Sequence, residues 1–240
     1  MRTFEAWLER ASEHRQRSGY PLVSLCYAQS LDGSITARRG QPTKLSGDES
    51  SKLTHKLRAA HDAILVGVGT VLADDPFLTV RLVEGKNPIP VVLDSHLRIP
   101  LTCNLLARRP GETWIATTIA APLERRAALK ATGARQLLLD ADAAGQVSLP
   151  ALLSCLGELG VNSLMVEGGA QVITSFLEQG LIDQVALTIA PVLLGGLPAI
   201  EHSLPTPLCL QSIEYERLGD DVLIWGKVEN YQRVVESHPS

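Results

Sequence analysis

The sequence predicts an α/β fold in which a mostly parallel central sheet is flanked by helices and closed by antiparallel C-terminal strands. Three observations carry that prediction. The run "AILVG" (63–67) is continuously apolar and too short for a helix, which marks a strand buried on both faces, as in a parallel sheet. Strand-like and helix-like stretches then alternate without sequence repetition from about residue 89 to 180. From Asp183 the order changes to strand, loop and hairpin, which adds antiparallel pairs at the sheet edge.

Taken along the chain, Phe4, Leu8 and Ala11, with Trp7 beside Leu8, give residues 1–19 the pattern of an amphipathic helical extension. "PLVSLCYAQ" (21–29) reads as a strand, and "SLDG" (30–33) closes it with turn chemistry. Ser46 and Glu49 have capping-box spacing, and Leu53, Leu57 and Ala60 recur at helical intervals, so a helix is expected over about 48–60. "IPVVLD" (89–94), "TWIATT" (113–118) and "RQLLLD" (135–140) are strands, with "PLERRAALKAT" (122–132) a helix that has Pro122 near its first turn. "LPALLSCLGELG" (149–160) makes a helix, "SLMVEGG" (163–169) a strand, and "AQVITSFLEQG" (170–180) a helix ended by Gly180. "QSIEYERLGDDVLIWGKVE" (211–229) reads as a hairpin, and the tail from 230 to 240 is expected to fray. No linker or low-complexity tract divides the chain, so residues 1–240 are expected to form a single domain.

Composition narrows the function. With 240 residues, 45% hydrophobic and 20% charged, the chain can bury a core without disulfides. A formal net charge of −4 offers no basic face for a nucleic acid backbone. Cys26, Cys103, Cys155 and Cys209 lack zinc or dithiol spacing and are expected to be reduced thiols, with no metal bound. The N-terminus has glutamates and no apolar core segment, which argues against a signal or transit peptide, and no run approaches the roughly 20 apolar residues of a membrane helix. A cytoplasmic protein is expected.

The segment "GVGTVLADDP" (67–76) raises the question of a dinucleotide-binding loop. Such a fingerprint needs a third glycine where this chain has Leu72, and Asp74, Asp75 and Pro76 are expected to stop any helix within one turn. Two other readings remain. Gly67 and Gly69 either shape a tight turn that Asp74 and Asp75 cap, or they let a ligand approach the backbone at the carboxyl end of a strand, with Thr70 donating to it and Asp74 facing the pocket.

"SLDG", "GTVLADDPFLTVR" (69–81), "PVVLDS" (90–95), "VEGG" (166–169) and "DQVALTIAPVLLGG" (183–196) occur in the order seen in the riboflavin-biosynthesis pyrimidine reductases, which the chain resembles from about residue 20 to 228. The family includes the reductase domain of the bifunctional bacterial deaminase/reductase and the stand-alone fungal and archaeal enzymes. "YAQSLDG" with "LTHKLRAAHDAILVGVGTVLADDP" is similar to the stand-alone type, and "LTVR" to the bacterial type. The resemblance implies a dihydrofolate-reductase-like fold, NADPH bound across the carboxyl edge of the sheet, and hydride transfer to C1 of a ribosylamino-pyrimidine 5′-phosphate to give the ribitylamino product. Chemically, a ribosylamine can open to an imine that accepts hydride once a proton is supplied.

The resemblance further implies residue roles. Ala28, Gly67, Gly69, Thr70, Asp74 and Ser95 border the cofactor, and Gly168, Gly169, Ala170, Gln171 and Val172 hold its phosphates at a strand-to-helix turn, a position where backbone N–H groups favour anions. Glu167 touches the substrate, and Glu167 and Asp74 are the candidate catalytic carboxylates, with the acid not assigned between them. Their two segments are expected to share one rim. Arg58 and Arg81 match the contacts to the substrate phosphate, with Leu78 a backbone contact beside them. The chain departs from the family at Cys26, where bacterial members have a lysine, and at Pro42 and Lys44, where a phosphate-binding serine and a tryptophan are usual; Thr43 and Lys44 either take over the phosphate contact or signal a different substrate.

Other residues draw plainer expectations. His55, His61 and His96 read as helix-surface or loop histidines, and Trp7, Trp114 and Trp225 as packing. No H-x-E or P-C-x-x-C zinc motif of a deaminase is seen, so that activity is expected elsewhere. Two alternatives stay open: a reductase of the same fold acting on another carbonyl, imine or pteridine-like ring, and a non-catalytic nucleotide-binding regulator. The apolar closing strands predict a homodimer.

Overall fold

The structure, a computed structural model, describes residues 2–41 and 43–230. In chain order the elements are α1 (Arg2–Glu9), α2 (Ala11–Ser18), β1 (Leu22–Ser30), β2 (Ser34–Thr36), α3 (Asp48–Ala60), β3 (Ala63–Gly67), α4 (Val68–Asp74), β4 (Ile89–Leu93), α5 (Asn104–Ala107), β5 (Trp114–Thr117), α6 (Leu123–Ala131) and β6 (Arg135–Leu138). They continue with α7 (Leu149–Glu158), β7 (Ser163–Gly168), α8 (Ala170–Glu178), β8 (Gln184–Ala190), β9 (Leu197–Pro198), β10 (Leu208–Leu218) and β11 (Asp221–Asn230). The chain forms two compact units: Met1–Leu22 with His55–Met165, and Val23–Thr54 with Val166–Ser240.

In the first unit β3, β4, β5 and β6 pair in that order, all parallel, with Leu65 opposite Val91 and Val92 opposite Ile115. Ile64, Leu65, Val66, Val91, Val92 and Ile115 are at most 1% exposed, which is why these strands are continuously apolar. Burying each such side chain stabilises by about 1.5–3 kcal/mol. Leu129 on α6 and Leu152 and Leu156 on α7 add to the core. The N-terminal extension is two helices rather than one, because Arg10 (φ −92°, ψ 4°) leaves helical geometry between them. Ala11 is buried, and the Arg15 guanidinium ties α2 down by donating to Asn162 Oδ1 (2.8 Å) and to Gly157 O (3.1 Å).

In the second unit β1 runs parallel to β8, β11 lies antiparallel to β8, and β10 lies antiparallel to β11. The expected antiparallel closure is therefore present, with an irregularity between Gln211 and Glu214 where Ser212 takes φ 51°. A two-stranded sheet of β2 and β9, which the sequence did not announce, brings the "SLDG" turn beside the "VLLGG" loop. Gly196 is needed there by close approach, since a Cβ would lie 2.1 Å from Thr36 O.

Helix α3 spans the expected residues, but its start differs from the capping box. The residue before the helix is Gly47, one position past Ser46. Asp221, at the start of β11 and 3% exposed, supplies the acceptor instead: the Gly47 N–H donates to Asp221 Oδ2 at 2.8 Å and Ser50 Oγ at 2.6 Å. A cap delivered from 171 residues away in sequence has no local signature.

Candidate functional site

The glycine segment resolves into strand, helix and clamp. Gly67 ends β3 with extended geometry (φ −79°, ψ 155°), and α4 starts at once and runs seven residues, longer than the single turn expected. It stops because Asp75 takes a left-handed conformation (φ 41°, ψ 55°) and donates its N–H to Val71 O. The two aspartates then part in role. The Asp75 carboxylate accepts from Asn104 N (2.7 Å) and Nδ2 (3.0 Å), and Asn104 Nδ2 also reaches Asp75 O (2.8 Å), so Asp75 locks α4 to the start of α5. Asp74 remains solvent-accessible with no side-chain partner among the described residues, and partial desolvation by the surrounding protein raises its pKa above the usual carboxylate value.

Gly69 sits in the first turn of α4 without a left-handed φ, and a Cβ there would meet nothing within 4 Å. Neither backbone geometry nor packing demands a glycine at this position. The backbone there faces open space, while Asp75 ends the helix as its cap. Thr70, the next residue, is half-buried. Ser95 is 7% exposed and its hydroxyl is committed within the protein, donating to Gln146 Oε1 (3.1 Å) and accepting from Val147 N (3.0 Å).

The segment after α4 carries residues expected to contact the phosphate. Leu78 is 2% exposed with φ 49°, a left-handed conformation that costs a non-glycine residue about 1–2 kcal/mol. Arg58, in the last turn of α3, donates from Nη1 to Thr79 O at 3.2 Å. Arg81 is exposed, donates from Nη1 to Thr79 Oγ1 (2.8 Å), and lies over the Phe77 ring at 5.5 Å. Thus Arg58, from α3, bonds the same loop that carries Leu78 and Arg81.

In the second unit β7 ends at Gly168, Gly169 turns the chain, and α8 begins at Ala170. Gly169 has φ 82° and ψ 136°, a conformation that favours glycine, and α8 has no side-chain cap and no acidic residue in its first turn. Ile173 N–H donates to Gly169 O. The N–H groups of Ala170, Gln171 and Val172 precede the first intrahelical partner, an arrangement suited to an anion. Glu167, one residue before the glycines, is half-buried, and its charge acts on Cys26. Burial, then that charge, pushes the Cys26 thiol well above its ordinary pKa, so Cys26 is a neutral thiol.

Ala28 on β1 is half-buried opposite Thr188. Thr43 is engaged locally, its hydroxyl 3.1 Å from Thr36 Oγ1 and accepting from Ala37 N, and exposed Lys44 pairs with Asp48 at 3.2 Å. Pro42 lies outside the described residues, as do residues 231–240 of the expected fraying tail.

Sequence reasoning missed two structural carboxylates and two histidines. Asp32 of "SLDG" accepts from Ser30 Oγ (2.6 Å), Leu194 N (2.8 Å), Ser34 Oγ (2.8 Å) and Gly195 N (2.8 Å), and these bonds, the first foremost, hold its carboxyl far below the usual range. The Ser-x-Asp-x-Ser spacing was the available signal for the local half of that knot. Asp221 is the other. His55 and His61 are buried rather than on the surface (5% and 4% exposed). His61 donates from Nδ1 to Leu57 O at 2.6 Å, and burial pushes its pKa down to about 4. His96 is exposed, as expected. Trp225 is buried and bonds Glu214 through Nε1, and Trp114 is covered by Arg135 at 4.8 Å. Among the described residues no group of three His, Cys, Asp or Glu is placed to hold a metal ion.

The sequence pattern of the RibD C-terminal domain matches residues 21–224, which include every one of these site residues. The chain belongs to the RibD C-terminal domain family. Within that family, it is 38% identical over 184 residues to the riboflavin biosynthesis protein RibD of Bacillus amyloliquefaciens, covering 76% of this chain and 49% of that protein. It is also 38% identical over 180 residues to the 2,5-diamino-6-ribosylamino-4(3H)-pyrimidinone 5′-phosphate reductase of Aquifex aeolicus (strain VF5), covering 73% of this chain and 79% of that one. The chain thus spans about half the length of the first relative and most of the second. Among solved structures, RibD of Acinetobacter baumannii superposes with a TM-score of 0.81 at 26% identity, covering 93% of this chain and 62% of that one. Dihydrofolate reductase from Enterococcus faecalis gives a TM-score of 0.52 at 11% identity, covering 88% and 99%, and shows that the family shares that fold.

Proposed function

We propose that the chain is an NADPH-dependent oxidoreductase of riboflavin biosynthesis that reduces a ribosylamino-pyrimidine 5′-phosphate at C1 to the ribitylamino product, with residues 1–240 acting as one reductase domain. The substrate is 5-amino-6-(5-phosphoribosylamino)uracil or its 2,5-diamino precursor. The second is favoured by the Aquifex aeolicus relative, which is named for reduction of the diamino pyrimidine and of whose length the chain covers 79%. One observation carries the chemical side of the reading: of two adjacent aspartates, Asp75 is consumed by Asn104, while Asp74 stays accessible without a side-chain partner among the described residues, its pKa raised by partial desolvation, so it is the carboxyl of the pair open to exchange a proton with a ligand.

The residues present fit a dinucleotide phosphate at two places: the uncapped start of α8 behind Gly169, and the open backbone face at Gly69 with Thr70 beside it. When bound, a reduced nicotinamide supplies the hydride. Asp74 supplies the proton that ends on the ring oxygen as the sugar-ring C–O bond opens to a protonated imine, whose carbon takes the hydride while its nitrogen keeps the N–H it already carries; Glu167 orients the sugar, and Arg58, Arg81 and the Leu78 backbone hold the phosphate. The affinity the α8 N–H groups contribute to an anion is electrostatic and weakens with salt.

The reading is tested by incubating the protein with NADPH and either pyrimidine and following, by mass spectrometry, the addition of two hydrogens. NADPH oxidation that occurs with neither pyrimidine but with another imine or pteridine would move the assignment to the alternative acceptor. No oxidation with any substrate would leave a nucleotide-binding regulator.

A homodimer and a cytoplasmic location belong to the same proposal. Exposed Ile213, Tyr215 and Val222 on β10 and β11 support the first (42%, 67% and 41% exposed), and light scattering tests it, with a monomer as the adverse result. Among the described residues no helix is long and apolar enough to cross a membrane.

A further inference from the structure

The loop from Phe77 to Arg81 is held from several sides, and one of its anchors is a buried histidine. Arg58 bonds Thr79 O, Asn87 Oδ1 accepts the Val80 N–H at 2.7 Å, and His55 Nδ1 accepts the Arg81 N–H at 2.8 Å. An N–H donates to Nδ1, so that nitrogen carries its lone pair and the neutral ring has its proton on Nε2. His55 lies on α3 one turn ahead of Arg58, so a single helix face supplies two anchors for the loop. The loop also holds Leu78 at φ 49°, and such strain persists only where the surroundings over-determine the conformation.

We infer that His55 is a positioning residue for the phosphate-binding loop: by accepting the Arg81 N–H it sets where the Arg81 side chain emerges and keeps Leu78 in its strained conformation. The inference rests on the proposed role of this loop in holding the substrate phosphate. Its physical logic is that three loop backbone groups are satisfied by side chains of α3 and Asn87 rather than by secondary structure. Removing the Nδ1 acceptor leaves the Arg81 N–H without its partner, and the loop relaxes toward an unstrained φ at Leu78. Arg81 then starts from a different point, and its fork no longer meets the phosphate in its bidentate geometry.

The experiment compares His55→Leu, which removes the acceptor, with His55→Asn, whose amide oxygen occupies the Nδ1 position. Both are assayed on the ribosylamino-pyrimidine 5′-phosphate and on its dephosphorylated form. His55→Leu is expected to raise KM for the phosphate ester about tenfold, the scale on which losing one buried hydrogen bond acts. KM for NADPH and for the dephosphorylated compound should stay put, and His55→Asn should restore most of the loss. Amide exchange at Arg81 gives a readout independent of catalysis: protected in the parent and in His55→Asn, fast in His55→Leu. Should His55→Leu not fold, His55→Gln, whose carbonyl reaches the Nε2 position instead, serves as the acceptor-less variant. Equal KM shifts on both substrates, no rescue by Asn, or unchanged exchange at Arg81 each overturn the role of His55. Arg81→Ala separates the two readings. If it leaves KM for the phosphate ester unchanged, the loop does not bind the phosphate; if it raises that KM while His55→Leu is silent, only the His55 inference falls.

Discussion

Replacing Gly69 by alanine separates a glycine kept for folding from one kept for a ligand. Gly69 lies in the first turn of α4 with no left-handed φ, and the added Cβ meets nothing within 4 Å. Folding therefore pays no steric penalty, and the alanine restricts the unfolded chain, which stabilises by about 0.4–1 kcal/mol at compatible sites. In a chain of this length ~1 kcal/mol raises Tm by about 2–4 °C. If the bound cofactor instead approaches this open backbone, the methyl intrudes on it, and such overpacking costs about 1–3 kcal/mol, a rise of roughly 5- to 150-fold in KM for NADPH. The assay pairs a thermal melt with steady-state KM for NADPH. A stabilised protein with an unchanged KM would refute the ligand reading, and a lowered Tm would refute the claim that the space is open.

Three further expectations follow from the same geometry. Asp74→Asn should leave stability within about 0.5 kcal/mol but slow single-turnover hydride transfer by roughly 10²-fold or more, whereas Asp75→Ala should lower stability by about 1–3 kcal/mol through its bonds to Asn104; the opposite pattern in urea melts and stopped-flow traces would reverse the two assignments. His61 is neutral when folded, with its pKa near 4 against the ordinary 6.5. The unfolded chain therefore binds the extra proton as pH falls below 6.5, and stability should be full above that value and decline by about 2 kcal/mol by pH 5. Urea midpoints measured from pH 7.5 to 5 check the slope, which a His61→Gln variant should flatten. Asp221→Ala should lower stability by about 1–3 kcal/mol by stranding the Gly47 N–H and Ser50 hydroxyl, and a double-mutant cycle with Ser50→Ala should show coupling.

Much of the architecture was legible because periodicity is local. "AILVG" and "IPVVL" are apolar throughout since both faces of β3 and β4 are covered, and Leu53 and Leu57 gave α3 its limits. The N-terminal break at Arg10 was not legible, as an arginine is an ordinary helix residue and nothing in its neighbours marks an end. For the site, the glycines and carboxylates of "GTVLADDP" and "VEGG" stood out by type and order. What each did could not be read. Asp74 and Asp75 are indistinguishable as letters, and only the position of Asn104, 29 residues on, separates a structural clamp from an accessible carboxyl.

The order of residues by itself determined the α/β class and the placement of most strands and helices, because each depends on side-chain pattern within a dozen positions, and it determined the family, because that family's motifs follow one another in a fixed order along the chain. Tertiary structure alone decided which polar groups are committed. Asp221 capping α3, Asp32 knotting the 194–195 loop, and His55 buried beneath Arg81 each join residues far apart in the chain, and a hydrogen bond depends on distance in space, which the linear text does not contain.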